Sequence, residues 1–162
     1  MASYDVASNI SPALDDGRLR SAAATVKMTV TAVNDPPVLA PIAAVLVAGG
    51  AAVPLDTAGA ASDPDASDVP VLVVTASPKL GFLAVEGRVG AVAAGDVIPA
   101  GSKVYYSASA DGLDAAAAAA DGLAHDIIGL AANDGQRLSE ERFVNVVISK
   151  VRRCRLTLCN PR

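Results

Sequence analysis

The stretch Ala24-Thr25-Val26-Lys27-Met28-Thr29-Val30-Thr31-Ala32 alternates without a break. Ala24, Val26, Met28, Val30 and Ala32 fall on one face, and Thr25, Lys27, Thr29 and Thr31 on the other. A period of two belongs to a strand with one buried face, because successive Cβ atoms point to opposite sides of a pleated chain. Ahead of it stands Asp15-Asp16-Gly17-Arg18-Leu19-Arg20-Ser21. The same arrangement returns 118 residues later as Asn133-Asp134-Gly135-Gln136-Arg137-Leu138-Ser139, with Val144, Val146 and Ile148 in the places of Val26, Met28 and Val30. Each copy reads as a turn, a short polar stretch and an alternating strand. A period near 118 is too long for a solenoid and suits a small domain.

Three segments follow from that repeat. Residues 1–37 read as the closing hairpin of one module plus an Asn-Asp-Pro-Pro linker, 38–150 as a complete second module, and 151–162 as a basic tail expected to be unstructured. Within the second module, strands are expected at Val38–Val47, Ala52–Leu55, Val69–Ala76, Phe82–Val85, Arg88–Val92, Lys103–Ser107, Asp126–Ala131 and Arg142–Val151. Gly, Pro and Asp turns separate them, including Asp-Gly at Asp111, Asp121 and Asp134. Seven or eight short strands in a chain segment of this length predict an all-β fold, an antiparallel β-sandwich. Pro41 cannot donate to a ladder, so it puts the first strand at an edge or a bulge. Ala115–Ala120 breaks the pattern. A short helix capped by Asp114 and ended by Asp121-Gly122 is one reading, but so short a helix is marginal in water, and a low-complexity surface loop is the expectation preferred.

Composition supports sheets. Of 162 residues, 34 are Ala and 21 are Val, whereas aromatic residues number five, so the core rests on Val, Leu and Ile. A net charge of −4 argues against nucleic acid as the main partner, since phosphates call for a basic footprint. The five basic residues Lys150, Arg152, Arg153, Arg155 and Arg162 cluster at the end, leaving residues 1–149 with a net charge of −9. Asp outnumbers Glu 14 to 3, a bias towards turns, caps and oxygen-ligated cations. Residues 1–23 carry no secretory signal pattern. Pro36–Leu55 is uncharged and long enough for a membrane span, but four prolines and Gly49-Gly50 make it strand, turn, strand instead.

One constellation carries chemistry. Val33-Asn34-Asp35-Pro36-Pro37 closes the first segment, and Ser62-Asp63-Pro64-Asp65-Ala66-Ser67-Asp68 lies some thirty residues on. Pro64 fixes the backbone between two aspartates whose side chains, at i and i+2 of an extended stretch, point the same way, with Asp68 near enough to join. Converging carboxylates call for a proton or a cation. Ca2+ suits them, taking six to eight oxygens and needing neither nitrogen nor sulfur. The loop is no EF-hand, which would require Gly at 68 and Glu at 74 where the chain has Asp68 and Val74. A solvated turn cluster without metal remains the alternative.

Val33-Asn34-Asp35-Pro36-Pro37-Val38 together with Ala61-Ser62-Asp63-Pro64-Asp65 resembles the tandem cadherin-like repeats of large cell-surface adhesins. Gly95-Asp96-Val97-Ile98-Pro99-Ala100-Gly101-Ser102-Lys103-Val104-Tyr105-Tyr106, then Asp126, then Ala132-Asn133-Asp134-Gly135, is similar to the remainder of such a repeat, so the likeness covers about residues 4–150. The resemblance implies an Ig-like sandwich, end-to-end stacking on neighbouring repeats, calcium at the junctions and a cell-surface or extracellular location. It also implies a ligand set: Asn34 and Asp35 from the linker, Asp63 and Asp65 as the paired aspartates, and Asp126 entering the next-to-last strand; Asp68 joins the candidates from its spacing alone. Where a further Asn-Asp-Pro linker would follow, the chain reads Ser149-Lys150-Val151-Arg152-Arg153-Cys154 instead.

The expected function is therefore a non-catalytic, calcium-binding structural or adhesion module. Two alternatives stay open: a carbohydrate- or matrix-binding sandwich in which metal is incidental, and a fragment with no independent role. No phosphate-cradling Gly loop, Gly-x-Ser-x-Gly elbow or His-based motif occurs. His125 reads as a surface residue at a strand start. Cys154 and Cys159 are too few for a disulfide framework or a zinc site, and Asn9-Ile10-Ser11 meets the glycosylation pattern.

Overall fold

A computed structural model of the chain describes residues 12–24, 30, 33–65 and 68–149. The chain forms two compact units, Met1–Asn34 and Asp35–Arg162, divided inside the Asn-Asp-Pro-Pro segment. The fold of the second unit is all-β, with ten strands and one helix among its described residues.

Three sheets make it up. β1 (Val38–Leu39) and β4 (Ala61–Ser62) form a two-stranded antiparallel pair. β2 (Val45–Ala48), β10 (Arg142–Ser149), β9 (Leu123–Asn133), β5 (Val71–Ala76) and β7 (Val97–Ile98) lie in that order in a five-stranded sheet. β3 (Val53–Leu55), β8 (Val104–Ala108) and β6 (Gly81–Val85) form the third. β10 pairs antiparallel with β9 but parallel with β2, so the large sheet is mixed rather than antiparallel throughout.

Alternation places the core. Val144, Val146 and Ile148 of β10 face inward beside Ile128 and Leu130 of β9 and Leu72 and Val74 of β5. Leu83, Val85, Val104 and Tyr106 of the three-stranded sheet join the same hydrophobic cluster. The five-stranded and three-stranded sheets thus share one core, to which Leu39 of β1 also contributes.

Several elements differ from expectation. Val38–Val47 is two strands in different sheets, β1 and β2, separated around Pro41, whose ring removes the ladder donor. Arg88–Val92 is not a strand. Gly87 (φ 78°) and Gly90 (φ 96°) turn the chain there, and only Val92 bridges, to Leu83. The short strands β4 and β7 were not expected. The Ala run is partly helical: α1 spans Ala110–Ala118 and begins well before the run. Its cap is Ser109, not Asp114. The Ser109 hydroxyl accepts the Gly112 N–H at 3.1 Å and donates to the Leu80 carbonyl at 2.9 Å, so tertiary contact supplies what a short helix lacks alone. Pro36–Leu55 holds β1, β2 and β3, and no helix among the described residues is long and apolar enough to cross a membrane.

The sequence repeat has a structural counterpart. In the first unit Asp15 Oδ1 accepts the Gly17 N–H (2.8 Å), Asp16 Oδ1 accepts the N–H groups of Arg18 (2.9 Å) and Leu19 (2.8 Å), and Ser21 Oγ accepts the Leu14 N–H (2.9 Å). In the second unit Asn133 Oδ1 accepts the Gly135 N–H (2.8 Å), Asp134 Oδ1 those of Gln136 and Arg137 (2.6 Å each), and Ser139 Oγ that of Ala132 (2.9 Å). The bridges Asp15 to Arg20 and Asn133 to Leu138 correspond as well. Gly17 and Gly135 both take positive φ, 84° and 95°, as the turn demands. The alternating strand after Ala24 falls largely on residues 25–29, 31 and 32, outside the described residues. Outside them too are Asn9, Cys154, Cys159 and the rest of the basic tail.

Candidate metal centre

Three carboxylates converge on the loop that leaves β4. One oxygen each from Asp63, Asp65 and Asp68 lies within 4.8 Å of the others, and all three residues are half-buried. The backbone explains the convergence. Asp63 Oδ1 accepts the N–H of Asp65 at 2.8 Å, an Asx turn around Pro64, and the Asp65 carbonyl accepts the N–H of Asp68 at 3.0 Å. From the start of the unit, the Asp35 N–H donates to Asp65 Oδ2 at 2.9 Å.

One buried oxygen of the group lacks a donor. Asp63 Oδ2 is buried and has no hydrogen-bond partner. A buried acceptor without a donor is destabilising by about 1–3 kcal/mol, and more when charged. At 4.8 Å each pair of carboxylates adds about 1 kcal/mol of repulsion even at the dielectric of water. A cation placed among the three oxygens would relieve both penalties, so the donor set fits one, and Asp63, Asp65 and Asp68 could hold a metal ion.

The other expected ligands fare differently. Asp35 reaches this loop through its backbone, and its carboxylate is not in the group. Asn34 belongs to the first unit. Asp126 is a correction. It lies on an inward position of β9, 4 % exposed, and is not part of the acidic group. Its Oδ1 accepts the N–H groups of Lys79 (2.9 Å) and Ile127 (3.0 Å), and its Oδ2 accepts the Leu80 N–H and the Tyr106 hydroxyl, both at 2.8 Å. Four donors occupy that carboxylate, which pins β9 to the turn before β6 and to β8. Burial, and then the hydrogen bond to Asp126, push the Tyr106 phenol well above its ordinary pKa. No local sequence pattern marks this pair; the signal available was an acid among the apolar positions of an alternating strand.

Asp96, inside one of the resemblance motifs, serves a turn. The Ala93 N–H and then the Arg88 guanidinium, 3.0 Å away, hold its carboxyl below the usual range. A cavity of about 190 Å³ is lined by Thr57, Ser102 and small apolar residues, with no acid, base or thiol facing it. His125 is exposed on β9. No protein-family model, curated protein or solved structure matches the chain.

Proposed function

We propose that this chain is a non-catalytic, calcium-binding structural module of a repetitive cell-surface or extracellular protein, of the cadherin-like kind its motifs resemble. The observation that carries the reading is Asp63 Oδ2, buried and without a donor in a group of three carboxylates. An all-oxygen, all-carboxylate donor set favours a hard cation over zinc. Calcium accepts irregular oxygen geometry, whereas magnesium demands a near-octahedral shell and gives up its waters reluctantly. Backbone carbonyls and water would complete the shell. Bound there, the ion would offset the carboxylate repulsion and hold the loop 63–68 against Asp35 through Asp65. Its work is mechanical: stiffening the start of the module.

The test is thermal melting of the full chain in chelator and across a calcium titration. Extracellular modules bind calcium at roughly 0.1–1 mM, so the midpoint should rise across that range. Asp63→Ala and Asp65→Ala should abolish the rise. A midpoint indifferent to calcium, or a rise that survives both substitutions, overturns the reading.

A further inference from the structure

Two turns and the start of β5 enclose the cavity of about 190 Å³. Residues 57–60 close through the Ala60 N–H and the Thr57 carbonyl (3.3 Å), and residues 99–102 through the Ser102 N–H and the Pro99 carbonyl (3.2 Å). Gly59 (φ 69°) and Gly101 (φ 75°) take the third place in each turn, where a positive φ is needed. Pro70 and Pro99, which carry no N–H, join Ala61 and the buried Leu72 in an apolar lining. Two hydroxyls interrupt it, those of Thr57 and Ser102. Thr57 is only 8 % exposed, yet among the described residues neither hydroxyl has a hydrogen-bond partner. Nor is the Thr57 oxygen sealed inside protein, because among the described residues only Asp63 Oδ2 is both buried and unpartnered. The hydroxyl therefore opens onto the cavity.

From this arrangement we infer that the cavity binds a neutral, ring-sized molecule carrying one hydroxyl, of the class of phenol and cyclohexanol. Charge, polarity and size each narrow the class. No ionisable side chain faces the cavity, so an ion entering it would lose hydration and meet no counter-charge. A saccharide would bring many hydroxyls to walls that offer two, and the remainder would be desolvated without partners. An apolar cavity of about 150 Å³ holds one benzene ring, so about 190 Å³ takes a ring with one substituent. A ligand hydroxyl can donate to one side-chain hydroxyl and accept from the other. Water against the proline and leucine walls makes few hydrogen bonds, and an apolar ring that displaces it gains affinity.

The test uses the full chain in chelator, so that the acidic group plays no part. Phenol titrated against the protein should shift the Leu72 and Ala61 methyl resonances saturably, with a dissociation constant of about 1 mM or below. Thr57→Val puts a methyl where the hydroxyl stands. It should weaken phenol about fivefold and leave benzene binding unchanged. Its melting temperature should equal or exceed the parent's, since no hydrogen bond is lost; a hydroxyl with a structural role would lower it. Ala61→Leu and Ser102→Leu fill the cavity and should each abolish binding, and if one fails to melt cooperatively the other decides. The absence of a saturable shift with phenol overturns the proposal. Equal phenol affinities in the parent and Thr57→Val do so too, as does binding that persists in the folded filling variants. Glucose bound more tightly than phenol would overturn the assigned class.

Discussion

Asp63→Asn separates the two penalties at the acidic group from the role of a bound ion. The amide keeps Oδ1 as acceptor for the Asp65 N–H, so the Asx turn survives. What disappears is one of three negative charges held within 4.8 Å. Removing it deletes two repulsive pairs of about 1 kcal/mol each in water, and screening at these half-buried positions reduces the sum to about 1 kcal/mol. Without divalent ions the variant should therefore be more stable than the parent by about 1 kcal/mol, about 4 °C in melting temperature for a unit of this size. At a calcium concentration about ten times the dissociation constant, the parent gains about 1.4 kcal/mol by mass action. If the lost carboxylate weakens binding tenfold, the variant gains only about 0.4 kcal/mol. Calcium should thus erase the variant's lead. The assay is paired melting curves followed by circular dichroism, in chelator and in about 5 mM calcium, with magnesium as control. Equal calcium shifts in parent and variant would show that Asp63 does not bind the ion. A variant already less stable in chelator would show that repulsion is not what the loop stores.

Three further outcomes concern the scaffold. Asp126→Ala strands two backbone N–H groups of the 79–80 turn and the Tyr106 hydroxyl, and should destabilise the second unit by about 3–5 kcal/mol in urea titration, equally with and without calcium. Tyr106→Phe loses one hydrogen bond to a carboxylate and should be milder, about 1.5–3 kcal/mol. Because the folded-state pKa of Tyr106 is raised, its contribution is fully present below the unfolded tyrosine pKa near 10 and is lost as pH climbs beyond it; the stability gap between parent and Tyr106→Phe should narrow above about pH 10 in alkaline denaturation. Gly112→Ala, which in an exposed helix stabilises by about 1 kcal/mol, should here destabilise, because the new Cβ would meet the Leu80 carbonyl oxygen at 2.2 Å. Denaturant midpoints decide the sign.

The all-β fold was legible because β5, β8 and β10 are long enough for alternation to declare itself, with burial in Val104–Ala108 falling on every second residue. The two-residue strands β4 and β7 carry no period, and only pairing with Val38–Leu39 and with β5 makes them strands. α1 was misplaced for a related reason. Ser109 caps it while gripping the Leu80 carbonyl, a contact 29 residues distant that no local pattern encodes. At the site, Asp63 and Asp65 could be placed together because Pro64 leaves the intervening backbone little choice. Asp126 could not be separated from them by residue type. Its donors come from 46 and 47 residues upstream and from Tyr106, and the alternation of β9 puts an acid on the apolar face without showing which donors meet it.

Aspartate abundance is therefore a poor guide in this chain, and the state of each oxygen is a better one. Asp15, Asp16, Asp121 and Asp134 each turn a carboxylate oxygen onto backbone N–H groups within three residues, which is the work of a turn. Asp96 divides itself between a backbone N–H and Arg88, and Asp126 has both oxygens filled from four directions. Each of these groups has its charge met by donors from the chain itself. Asp63 spends one oxygen on its turn and buries the other against nothing, beside two more carboxylates. Among the described residues, the fold fills the buried Asp126 carboxylate completely and leaves Asp63 Oδ2 open, and the open acceptor is what separates a candidate ligand from a turn residue of the same type.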